Sequence, residues 1–127
     1  MAEYLARHLT PGHGMVFSSA GTGTYPRVSP SSGTTTVMAE LGIDLEGHRS
    51  RSVWEDGDVA DVIYALSAGH RSALVARWPE RADDIHMLRP DGGSIGDPYG
   101  MELVDYRRSR DEIANAVSAR IKTGWNA

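Results

Sequence analysis

The sequence contains no cysteine. That excludes disulfides, thiolate zinc sites and every cysteine nucleophile. No apolar stretch approaches the ~18–20 residues of a membrane span. The N-terminus also lacks a basic region leading into an apolar run, so a cytoplasmic protein with no membrane role is the expectation. Basic clusters are missing too: the net charge is −4 and Lys and Arg are interleaved with acids. Nucleic-acid binding rests on a basic face that neutralises phosphates and is therefore disfavoured. The five histidines, His8, His13, His48, His70 and His86, include no His-x3-His spacing and have no acidic partner arrangement, so neither a metal nor a cofactor is expected. Phosphate loops ending in Gly-Lys-Ser/Thr, dinucleotide-binding glycine patterns and Gly-x-Ser-x-Gly elbows are likewise missing.

What is present fits one globular unit. A chain of 127 residues with 40% hydrophobic and 24% charged residues is long enough for one core, and residues 1–127 are read as a single domain. Tyr4, Leu5 and Leu9 fall at helical spacing over Ala2–Leu9, and "TPGHG" ends that helix. "MVFSS" (Met15–Ser19) reads as a short strand bounded by glycines, followed by "AGTGTYPRVSPSSG", a loop by composition. Ser31 or Ser32 caps a second helix carrying Val37, Met38 and Leu41, with Gly42 as its stop. "WEDGDVAD" reads as a turn or short helix.

"DVIYALS" is the clearest strand. Val62 to Leu66 form a nearly continuous apolar run, as a parallel strand covered on both faces requires. A helix from about Gly69 to Trp78 and a strand Ile85–Leu88 follow, then the loop "RPDGGSIGDPYG". The last helix, about Leu103 to Ile121, places Leu103, Tyr106, Ile113, Val117 and Ile121 on one stripe with charges elsewhere. Alternating helices and strands predict an α/β fold with parallel strands. Within "GDPYG", Asp97 before Pro98 reads either as a turn residue or as an acid beside an aromatic wall, placed to protonate a leaving group.

Taken together, these segments resemble the low-molecular-weight protein tyrosine phosphatases of bacteria. "SSAGTGTYP" is similar to the family's Ser-Ala-Gly-Thr signature, and "VMAELGIDLEGHRSRSV" to its helix and following Gly-Ile-Asp-Leu…His-x-x-Arg segment. "DVIYALSAGHRSAL" resembles its third strand and next helix, "GDPYG" its Asp-Pro-aromatic loop, and "YRRSRDEI" its final helix. The resemblance implies a three-layer α/β sandwich with a short parallel sheet. It also implies hydrolysis of phosphotyrosine, or of phosphoarginine as in some relatives with glycine after the aromatic, through a phosphocysteine. The implied partners are a phosphorylated protein or a small phosphomonoester.

By resemblance Asp97 is the general acid, Tyr99 a wall beside the substrate ring, and Ser19 and His48 hydrogen-bonding supports of the phosphate loop. Met1-Ala2-Glu3 resembles the Met-Ala-Glu that follows the family's loop. Its central strand one and its Cys-x5-Arg nucleophile loop are therefore expected to fall outside this sequence, and the chain as written is expected to be inactive. Three expectations stand side by side: a shortened version of an active phosphatase; a genuine short protein that binds partners and completes its sheet as a homodimer; and a different enzyme pairing Asp97 with a histidine.

Overall fold

The computed structural model describes residues 1–11, 14–23, 27–56 and 60–125. Helix α1 spans Ala2–Leu9, α2 Ser32–Ala39 and α3 Val53–Asp56. Strand β1, Ile63–Ala65, leads into α4, Ala68–Arg77. A 3-10 turn at Pro79–Asp84 leads into β2, Ile85–Met87, and the long helix α5, Leu103–Thr123, closes the chain. The strands pair in parallel, Ile63 with Ile85, Tyr64 with His86 and Ala65 with Met87.

Local chemistry sets these boundaries. The Ser31 hydroxyl accepts the Thr34 amide at the start of α2, and the Ser67 hydroxyl accepts the His70 amide at the start of α4. Each satisfies a donor that a helix N-terminus leaves open. Gly42, at φ +74°, ends the turn after α2. Glu102 and Asp105 form a reciprocal capping box at α5.

The sheet is the middle of three layers. Successive residues of a strand point to opposite faces, and β1 follows this. Tyr64 and Leu66 pack on the cluster of Leu5, Met38, Ile113 and Val117, which joins α1, α2 and α5. Ile63 and Ala65 pack on the other cluster, with Leu74, Trp78 and Ile85, beneath α4. The apolar run read from the sequence is thus covered on both sides.

Three expectations are corrected. Met15–Ser19 is not a strand: it lies in a stretch without regular structure, Val16 is 95% exposed, and only the next segment makes a bridge, Gly21 to Ser52. A strand needs a neighbour for its amides and carbonyls; here Phe17 instead rests on the ring of Trp125, which rests on Tyr64 of β1. Leu103 stands at the exposed end of the α5 stripe, because the core it was to face begins at Tyr106. Finally, not all α5 charges face solvent: Arg110 and Arg120 are buried. Arg120 donates to the carbonyls of Leu88 (3.1 Å) and Met87 (2.6 Å), tying α5 to the end of β2.

Arg110 donates to the Val37 carbonyl at 2.9 Å and to Glu40 at 2.6 Å, while Arg107 grips the same carboxylate at 2.8 Å. Hydrogen bonds from Arg107 and then Arg110 hold the Glu40 carboxyl down to about 2, from an ordinary value of 4.5. A carboxylate depressed on folding adds stability above its unfolded pKa and loses it as pH falls through the folded one. We therefore expect stability to drop between about pH 4.5 and 2. The drop should be shallower in Glu40→Gln, as measured by urea midpoints along a pH series; parallel curves would refute the assignment.

Candidate functional site

The loop from Ile95 to Met101 is built to present Asp97. Its first residue is anchored twice: the Ile95 side chain is buried, and its amide donates to the Leu66 carbonyl just past β1, at 2.7 Å. The Ser109 hydroxyl of α5 donates to the Gly96 carbonyl at 3.0 Å, pinning the next residue. One oxygen of Asp97 accepts the Tyr99 amide at 3.0 Å, the local turn that an aspartate before proline favours. Pro98 is buried, and its carbonyl accepts the Met101 amide at 2.9 Å. Tyr99 and Gly100 are therefore the middle of a tight turn, with Gly100 at φ +78°. A side chain at that φ is strained and glycine is not. The turn projects Tyr99 into solvent, where it is 78% exposed. The loop therefore holds an acid next to an outward-facing aromatic. The turn and acid readings of Asp97 are thus compatible: one carboxylate oxygen makes the turn.

Ser19 and His48 instead each contact the first turn of α1. The Ser19 hydroxyl donates to the Glu3 carboxylate at 2.7 Å, and the Ser19 carbonyl accepts from Arg51 at 2.9 Å. Glu3 is also paired with Arg7 at 2.7 Å, the favourable acid-before-base spacing of one helical turn. His48 packs edge-on against Tyr4, ring centroids 5.1 Å apart. The neighbours Glu3 and Tyr4 thus gather the two residues expected to support a phosphate loop. Among the described residues, no hydrogen bond is seen between this pair and the Asp97–Tyr99 loop.

Glu3, Tyr4 and Arg51 are the contributors that sequence reasoning missed. Only Glu3 left a signal, the 3.6-residue repeat that puts it with Arg7 on one face of α1, and the folded chain shows what it meets. Part of the glycine-rich stretch after Ser19, residues 24–26, and His13 lie outside the described residues. Among the described residues no group of three or more His, Asp or Glu side chains could hold a metal ion. No described helix is long and apolar enough to cross a membrane.

Comparison with known proteins follows the same outline. The family model described as low molecular weight phosphotyrosine protein phosphatase matches residues 1–123. A protein-arginine-phosphatase of Geobacillus stearothermophilus is 30% identical over 108 residues, covering 82% of this chain and 73% of the relative. A probable low molecular weight protein-tyrosine-phosphatase, EpsP, of Ralstonia nicotianae is 27% identical over 123 residues, 94% of this chain and 82% of the relative. Among solved structures, the low molecular weight protein tyrosine phosphatase from T. tengcongensis superposes with a TM-score of 0.86 at 30% identity, covering 96% of this chain and 88% of that one. The YwlE arginine phosphatase from Geobacillus stearothermophilus gives 0.84 at 29%, covering 96% and 83%.

Proposed function

Because the chain belongs to the low molecular weight phosphotyrosine protein phosphatase family, we propose that it carries the leaving-group half of that family's reaction. In this reading Asp97 protonates the oxygen or nitrogen that departs from phosphorus and later steers water to the phosphoenzyme. Tyr99 flanks the substrate side chain. Ser19 and His48 are set to brace a phosphate-binding loop from the α1 side. The substrate is a phosphorylated protein side chain or a small phosphomonoester, met in the cytoplasm. The observation that carries the reading is the Asp97 loop itself, anchored at Ile95 and Gly96 and turned so that an acid and an exposed aromatic stand together.

The other half of the reaction needs an atom this chain does not have. The family forms a phosphorus–sulfur bond, and the sequence contains no cysteine. A general acid assists bond cleavage by a factor of roughly 10²–10⁴, but it assists a displacement that here has no thiolate to begin it. Purified chain is therefore expected to leave phosphotyrosine unhydrolysed above the buffer rate. Turnover that disappears in Asp97→Asn would overturn this, since it would mean that Asp97 works with another nucleophile.

Pairing with a second copy is the second reading. It is favoured by the exposed segment around Val16, which has no regular structure, and by β1, which among the described residues has a ladder partner only in β2. Unpaired edges of this kind invite a strand from another chain. Light scattering on the same preparation separates the two: a dimer supports strand sharing, and a well-folded monomer counts against it.

A further inference from the structure

The free edge of β1 carries polar groups that its own chain does not satisfy. The Leu88 amide donates to the Ala65 carbonyl at 2.8 Å, so the backbone of Ala65 faces β2. Successive strand residues turn their backbone groups to opposite edges, which sends the amide and carbonyl of Tyr64 the other way. Among the described residues no strand pairs with β1 there. The Tyr64 hydroxyl and the Trp125 indole nitrogen are also buried with no hydrogen-bond partner among the described residues. Buried polar atoms of folded proteins nearly always have one.

Trp125 stands where a closer neighbour would satisfy them. Its ring lies 5.5 Å from that of Tyr64 and 5.2 Å from that of Phe17, and so holds the segment Met15–Ser19 a ring's width from β1. That segment has the chemistry of the missing neighbour. β1 is buried between two apolar clusters, and a strand beside it must be apolar on both faces, as Met15, Val16 and Phe17 are. Yet Val16 is 95% and Met15 42% exposed, and among the described residues the amides of Val16, Phe17 and Ser18 find no acceptor. The bonds that hold the segment are Arg7 to the Phe17 carbonyl, Ser19 to Glu3 and Arg51 to the Ser19 carbonyl, all at exposed positions. Water replaces such bonds at small net cost. Gly14, at φ +71°, begins the segment with a residue that turns freely.

We propose that Met15–Ser19 of a second copy pairs with β1 along the edge at Tyr64, reciprocally, once the Trp125 ring has swung out. The proposal rests on the second reading above and names the segment and the gate that it leaves open. Each copy gives one segment and receives one, the closed two-fold arrangement of an exchanged element. The partner's backbone then meets the amide and carbonyl of Tyr64, and an apolar side chain takes the place of the indole. Trp125 acts as a competitor: only the fraction of chains with the ring displaced can associate, which weakens the dimer by that fraction.

The test is static light scattering over a micromolar to millimolar series on the parent chain, Trp125→Ala, Val16→Asp and the double variant. Trp125→Ala should dimerise roughly 10-fold tighter than the parent or better, because no ring has to be displaced first. Val16→Asp changes a fully exposed position and should leave the urea midpoint where it was. It should nonetheless abolish the dimer in both backgrounds, since pairing would bury a carboxylate between two apolar layers. A dimer that survives Val16→Asp overturns the exchanged segment while leaving a dimer by some other surface. A dimer no tighter in Trp125→Ala overturns the gate. Monomers at every concentration in both parent and Trp125→Ala overturn the proposal and the dimer reading together. The same holds if Trp125→Ala stays monomeric while its Val16–Ser18 amides gain exchange protection, because the chain's own segment has then taken the edge. If Trp125→Ala does not fold, Trp125→Leu, which keeps an apolar contact with Tyr64, takes its place with the same expected ranking.

Discussion

Asp97→Asn should lower kcat on phosphotyrosine by roughly 10²–10⁴-fold once the chain is given a nucleophile. The suitable form is a fusion in which an apolar strand and a Cys-x5-Arg loop, taken from a family member, are joined ahead of Met1. The fold has a place to receive the strand. β1 is laddered on one side among the described residues, and the segment around Val16 is exposed and has no regular structure. Tyr64 and Phe17 are separated by the ring of Trp125. The loop would then emerge toward α1, where Ser19 and His48 are already gathered by Glu3 and Tyr4.

The size of the Asp97 effect should depend on what leaves. A phenolate as basic as that of tyrosine needs a proton as the bond breaks, whereas p-nitrophenolate departs with little help. Asn keeps the shape of the side chain, and its carbonyl oxygen can still accept the Tyr99 amide, so the loop is retained while the transferable proton is lost. The loss on p-nitrophenyl phosphate should therefore be much smaller than on phosphotyrosine. Equal rates for parent and variant on phosphotyrosine would remove Asp97 from the proposed role, and equal losses on both substrates would point to damaged loop geometry instead.

The parts of this fold that depend on local chemistry were legible in the sequence. Ser31, one of the two serines expected to do so, caps α2, and the β1 run is buried on both faces. Tyr106, Ile113 and Val117 form the buried stripe of α5. The misreadings concern features that depend on a neighbour. "MVFSS" has the composition of a strand, but composition cannot supply the adjacent chain that makes one. Arg110 and Arg120 fall on the same face of α5 as Tyr106, Ile113 and Val117, and only their charge suggested solvent. They are buried because the carbonyls of Val37, Met87 and Leu88, distant in sequence, come to meet them. For the site, the Asp-Pro-Tyr-Gly turn could be read from its residues, since each has its own reason to be there. The attachment of Ser19 to Glu3 could not, because 16 residues separate them and nothing local joins them.

That attachment gives the largest stability effect a consequence for the site. Leu5 is 1% exposed and is the residue by which α1 enters the cluster with Met38, Ile113 and Val117. Replacing it by alanine removes the transfer gain of the side chain and leaves a cavity, together about 2–5 kcal/mol. Against the ~5–15 kcal/mol that stabilises a typical domain, this is a large fraction. It should appear as a lower urea midpoint at unchanged slope. Helix α1 has eight residues, and isolated helices shorter than about 12–15 residues are marginal in water. Packing, rather than intrinsic propensity, therefore keeps it formed. Once Leu5 no longer holds it, Glu3 and Tyr4 lose their fixed positions, and Ser19 and His48 lose their partners with them. Amide exchange in Leu5→Ala should accordingly rise over α1 and at His48 more than over the middle of α5. Leu9→Ala, in the same helix but at a 38% exposed position, is the control and should stay within about 0.5 kcal/mol of the parent. If Leu5→Ala behaves like Leu9→Ala, α1 is not docked through Leu5. Ser19 and His48 would then need some other source of order to brace a loop.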